Sequence, residues 1–64
     1  MLDYEEFLKE VGQRITDRRK RLGLTQEALA EMADVTTQFV SYAESGKRAM
    51  RPENLMKIAS ALGV

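Results

Sequence analysis

Apolar residues along this 64-residue chain recur at helical spacing, and no segment alternates apolar with polar positions at period two. Leu8, Val11, Ile15 and Leu22 define one buried stripe on a first helix predicted over about Tyr4 to Leu22, with Phe7 in that stripe or at its edge. Asp3 followed by Glu6 has capping-box spacing, with Asp in place of the usual Ser or Thr. Gly23 falls where a left-handed cap is expected, just after basic residues that suit the helix dipole. A second helix is predicted over roughly Gln26 to Met32 and a third over roughly Thr37 to Glu44. Thr25 and Thr36 precede them, each able to accept a hydrogen bond from the free N–H groups of a first turn. Leu29, Ala30, Val35, Val40 and Ala43 supply the side on which this pair packs, and Gly46 is the stop signal. A fourth helix begins at Pro52, which lacks the N–H that a first helical position leaves unpaired. Leu55, Ile58, Ala59 and Leu62 form its inner face, Gly63 ends it, and Met32, Met50 and Met56 read as core or edge fillers. The fold class is all-α.

Sixty-four residues allow one small domain, spanning 1–64, that buries only about 60% of its unfolded surface. With 44% hydrophobic and 31% charged residues the chain is too apolar for disorder. Cys and His are both absent, which removes disulfides, thiol chemistry, the usual general base and the commonest metal ligand. No stretch approaches the roughly 20 apolar residues of a membrane span. The carboxylates lack any partner set for catalysis, so the expectation is no enzyme, no metal, no cofactor and no small-molecule ligand, in a cytoplasmic protein.

The formal net charge is zero, but the charges are segregated into blocks. The acidic start, residues 1–10, sets Lys9 against Asp3, Glu5, Glu6 and Glu10. Arg14, Arg18, Arg19, Lys20 and Arg21 follow against Asp17 alone. Glu27, Glu31, Asp34 and Glu44 have no basic residue among them, and Lys47, Arg48, Arg51 and Lys57 close the chain against Glu53. If the two basic blocks meet in space they form a phosphate-sized patch despite the neutral total. Solvated helix faces are the equal alternative.

The pair of short helices at about 25–45 carries most of the functional signal. With Val40 and Ala43 turned inward, the 100° step per residue puts Gln38, Ser41 and Tyr42 on the opposite side, with Thr37 near the N-terminal end. These groups are polar but uncharged, the composition suited to base edges in a DNA major groove. Gln38 can pair bidentately with adenine, and Thr37 offers a methyl to thymine. Gln26, one residue into the second helix, extends an amide beside a helix N-terminus that favours phosphate. Lys47 and Arg48, just past Gly46, suit the flanking backbone.

From about Val11 to Val64 the chain resembles the lambda-repressor-like (Cro/C1-type, XRE) helix-turn-helix family, and most of all its 434-type repressor domain. The residues carrying the resemblance are Arg18-Arg19, Leu22-Gly23-Leu24-Thr25-Gln26, Leu29-Ala30, Val35-Thr36, Val40-Ser41, Glu44-Ser45-Gly46-Lys47-Arg48 and Ile58-Ala59 with Ala61-Leu62-Gly63-Val64. The resemblance implies a compact four- to five-helix bundle whose third helix reads DNA, usually as a homodimer. It places Thr37, Gln38, Ser41 and Tyr42 on base-reading positions and Gln26, Ser45, Lys47 and Arg48 on phosphate-binding positions. It also implies a buried ion pair between Arg19 and Glu44, which makes Glu44 structural first.

The departures are specific. Asp34 stands where Gly is common in the turn, and Asp tolerates the left-handed conformation better than most residues. Ala33 replaces a larger apolar residue and predicts looser packing. Arg51 stands where Ser often caps the fourth helix. Family members usually continue past the position of Val64 into a fifth helix that often helps dimerisation. The expected function is that of a sequence-specific regulator of transcription on double-stranded DNA, a repressor acting as a dimer on a pseudo-palindromic operator. The rival is a protein–protein interaction module of the same fold, favoured by the zero net charge, the acidic start and Phe39 and Tyr42.

Overall fold

The computed structural model describes residues 3–47 and 50–64. They contain four helices and no strand: α1 (Tyr4–Arg21), α2 (Gln26–Ala33), α3 (Thr37–Ser45) and α4 (Pro52–Leu62). Four helices lie at the lower end of the expected bundle. None of them is long and apolar enough to cross a membrane.

Each of the first three helices starts where a side-chain oxygen replaces a missing backbone acceptor. Asp3 Oδ1 accepts from the Glu6 N–H at 2.8 Å, Thr25 Oγ1 from Ala28 at 3.0 Å and Thr36 Oγ1 from Phe39 at 3.0 Å. Arg51, in the fourth cap position, makes no such bond, and Pro52 opens α4 through its fixed backbone angle instead. The turn between α2 and α3 is closed by Asp34 at φ 56°, a left-handed residue where a Gly would be unstrained. Asp34 thus keeps the turn, as its tolerance predicts.

Ile15, Leu29, Ala30, Ala33, Val40, Ala43, Ile58 and Leu62 form one core fed by all four helices. Val35, Met50, Leu55 and Phe39 are partly buried against it, so Phe39 belongs to the packing of the bundle. Helix α2 contacts both α3 and α4, while α1 rests on α3. The α1–α3 crossing is very close at Gly12. A methyl there would stand 2.5 Å from the Glu44 carbonyl oxygen and 2.6 Å from that of Ala43. At the far end of α3, Gly46 packs on the backbone of Leu8 and Lys9 with φ 67°.

Three apolar expectations are corrected. Leu22 is not in the α1 stripe but 45% exposed, because α1 stops at Arg21 and the chain turns through Gly23. Leu24 takes the half-buried place instead, its N–H bonded to the Arg19 carbonyl at 3.0 Å. Met32 and Met56 are 57% and 70% exposed, so neither fills the core. Such short helices bury one narrow stripe, and Leu29, Ala30 and Ala33 already occupy it on α2, with Ile58 and Leu62 on α4. Phe7 is exposed, at the edge of the α1 stripe. Ala33 is buried and lines an open depression beside α4.

Candidate nucleic-acid interface

Helix α3 turns Val40 and Ala43 fully inward, and this fixes its other faces. Gln38 and Ser41 are exposed, while Thr37 and Tyr42 are half-buried. The Gln38 amide donates to the Tyr42 hydroxyl at 3.0 Å, one turn along the helix. The four candidate base readers therefore share the outer side of α3. Two of them are already joined.

Ser45 and Lys47 lie at the exit of α3. Ser45 Oγ donates to the Tyr42 carbonyl at 2.8 Å and accepts from the Lys47 N–H at 3.4 Å, so the hydroxyl shapes the chain's departure from the helix. The Lys47 residue itself is exposed. Arg48 lies outside the described residues.

Glu44 faces the other way and ties three helices together. Its Oε2 accepts from Arg19 Nε on α1 at 2.6 Å. Its Oε1 accepts from Arg19 Nη2 at 3.1 Å, from Thr16 Oγ1 at 2.9 Å and from the Gln26 amide on α2 at 3.2 Å. Arg19 Nη1 donates in addition to the Leu24 carbonyl at 2.8 Å, which pins the turn between α1 and α2. The pair is nearly closed to solvent, its side chains 12% and 8% exposed. Burial pushes the Glu44 carboxyl up, but hydrogen bonds from Arg19, Gln26 and Thr16, with the Arg19 charge, hold it below its ordinary value. The hydrogen bond to Glu44 in turn raises the Arg19 guanidinium, against the opposing effect of burial.

Gln26 thus sits at the start of α2 with one amide N–H turned to Glu44. It adjoins the free N–H groups of a helix N-terminus, but the bond links it to the internal ion pair as well. The first basic block is divided by its partners. Arg19 is taken by Glu44, and Arg18 Nε donates to the Leu62 carbonyl at the end of α4 at 3.2 Å. Lys47 follows a glycine packed on Lys9, near the opposite end of α1 from Arg18–Arg21.

Gly12 and Thr16 escaped the sequence reading. Their signal was present: 12, 16 and 19 follow one another on a single helical face that ends at Arg19. That face is the seat of α3.

The geometry is that of a helix-turn-helix: two capped helices at a tight left-handed turn, the second presenting uncharged polar groups outward. The model of a family described as Helix-turn-helix matches residues 15–64, and the chain belongs to that family, in its lambda-repressor-like, XRE-type form. It is a sequence-specific DNA-binding regulator. The fold is similar to the restriction-modification controller protein C.AhdI from Aeromonas hydrophila, with a TM-score of 0.90 and 33% identity over 98% of this chain and 91% of that one.

Proposed function

We propose that this chain, as one domain over 1–64, binds a pseudo-palindromic operator as a homodimer and represses transcription there. The observation that carries this reading is the outer side of α3, where Thr37, Gln38, Ser41 and Tyr42 present hydroxyl and amide groups without a charge among them. Such groups discriminate base edges through directional donors and acceptors and, at Thr37, a methyl. Gln26 and Ser45 at the two helix ends, with Lys47 behind α3 and Arg48 next to it in sequence, hold the flanking backbone. Arg19 and Glu44 set the angle between α1 and α3 and do not touch DNA. The likeness to a restriction-modification controller supports a controlling role in transcription. No enzymatic step, cofactor or membrane contact belongs to this reading, and the protein acts in the cytoplasm on the nucleoid.

Two copies place their α3 helices in successive major grooves, roughly 34 Å apart. Selection from a random duplex library of about 30 base pairs tests this directly, because that length holds two half-sites. Enrichment of a two-fold symmetric site is the expected result. A single enriched half-site would remove the dimer from the reading. No enrichment, with no binding at low salt, would overturn it in favour of a protein-interaction module.

A further inference from the structure

Glu53, Met56, Lys57 and Ser60 follow one another at helical spacing down one side of α4. With Met32 and Ala33 from the end of α2, and Ala61, they line one open depression. Single exposed apolar residues are ordinary on a protein surface. Here two flexible, largely exposed methionines share one depression, with a carboxylate before and an ammonium after the central one.

We propose that this α4 face is where a second copy of the chain docks, α4 against α4 about a two-fold axis near Met56. The inference rests on the dimer reading above and gives that dimer its surface. A two-fold axis across a helix packs it antiparallel on itself, so every residue meets a patch identical to its own. With the axis at Met56, the two Met56 side chains face each other, and Lys57 of one copy comes level with position 55 of its partner. At 1.5 Å of rise per residue, that is about 3 Å along the axis from the partner copy's Glu53, within side-chain reach. The charge order on this face is therefore complementary to itself under the symmetry a homodimer requires. Small residues at 60 and 61 let the helices approach, and the methionines adapt to fill the gap beside Ala33. Arg51 holds Glu53 only loosely, at 3.8 Å with both side chains largely exposed, so Glu53 is available to a new partner. The surface is also placed correctly for the task. Helix α4 packs on α2, and no residue of α3 lines the depression, so the docking face and the candidate base readers share no side chain.

The test is a charge-swap cycle read by sedimentation velocity over a concentration series, with helicity checked by circular dichroism. The unaltered chain is compared with Glu53→Lys, Lys57→Glu and the double swap. Each single swap sets like charges opposite each other across the axis and is expected to weaken dimerisation by about tenfold or more, while the double swap restores it. Affinity for a duplex carrying one half-site is expected to stay the same throughout. Single swaps that dimerise like the parent, or a double swap that fails to recover, would overturn the α4 surface while leaving the dimer standing. A parent chain that stays monomeric at every concentration, and binds a two-half-site duplex without cooperativity, would overturn the dimer reading and this inference with it.

Discussion

Gln38 gives one amide N–H to the Tyr42 hydroxyl at 3.0 Å, and this bond orients the amide on the outer side of α3. The remaining N–H and the carbonyl oxygen are the two groups that adenine takes bidentately. Gln38→Ala is expected to cost about 1–3 kcal/mol on the preferred sequence and to relax preference at one base pair. Tyr42→Phe keeps the ring but releases the amide, so it loses part of the same discrimination with the fold intact. Competition binding against single-base variants of the operator checks both. Equal loss on every sequence would remove these residues from base reading.

Lys47, exposed behind α3, is expected to behave differently. Lys47→Ala should weaken all duplexes alike and lower the slope of log K against log salt by about one. Titrations at several salt concentrations separate this from the Gln38 pattern.

Arg19 and Glu44 test the frame rather than the contact. Removing one member of a nearly buried pair strands the other, which costs on the order of 3–5 kcal/mol. For a chain of this size that approaches the whole stability. Arg19→Ala is expected to shift the urea midpoint sharply downward, and Lys20→Ala, on the exposed side of α1, to leave it in place. Similar midpoints for the two variants would deny the pair its structural role.

Acid should act through Glu44. Its carboxyl is held below the usual range in the folded chain, against about 4.3 when unfolded. A lowered folded value adds stability that is complete above the unfolded value and is lost as pH falls through the folded one. The stability gap between the parent chain and Glu44→Gln should therefore be widest near neutrality and shrink below about pH 4.3. Denaturant melts of both proteins across pH 2–7 measure it, and a gap constant with pH would contradict this account.

Gly12→Ala should be more damaging than its size suggests. The added methyl meets backbone oxygens at 2.5 and 2.6 Å, and neither belongs to a side chain that can swing away. Separating α1 from α3 to admit it costs about 1–3 kcal/mol or more and stretches the Glu44 bonds. Thermal melts should show the loss, and an unchanged melting temperature would mean that the crossing is looser than it looks.

Local chemistry was legible in the sequence. The caps at Asp3, Thr25 and Thr36, the left-handed stops at Gly23, Gly46 and Gly63, and the inward turn of Val40 and Ala43 all follow from residues a few places apart. The Arg19–Glu44 pair was accessible only through family resemblance, because no local pattern links residues 25 positions apart. Periodicity names a helix face without saying what covers it. That is why Met32 and Met56 read as fillers and stand exposed, and why Leu22 continued a stripe that the chain had already left. The Gln26–Glu44 bond was hidden for a related reason: an amide beside a helix N-terminus points to an anion, and here the nearest anion is internal.

Arg19 clasps both the Leu24 carbonyl and Glu44, while Gly12 lets α3 sit directly on α1. Helix α3, the proposed reader of bases, is thus clamped to the longest helix at both a charge and a backbone contact, with little freedom to tilt. When such a body meets an imperfect operator, accommodation passes to the nucleic acid, which must bend or twist toward the protein. Base pairs beyond the reach of any side chain then influence affinity through the stiffness of the duplex.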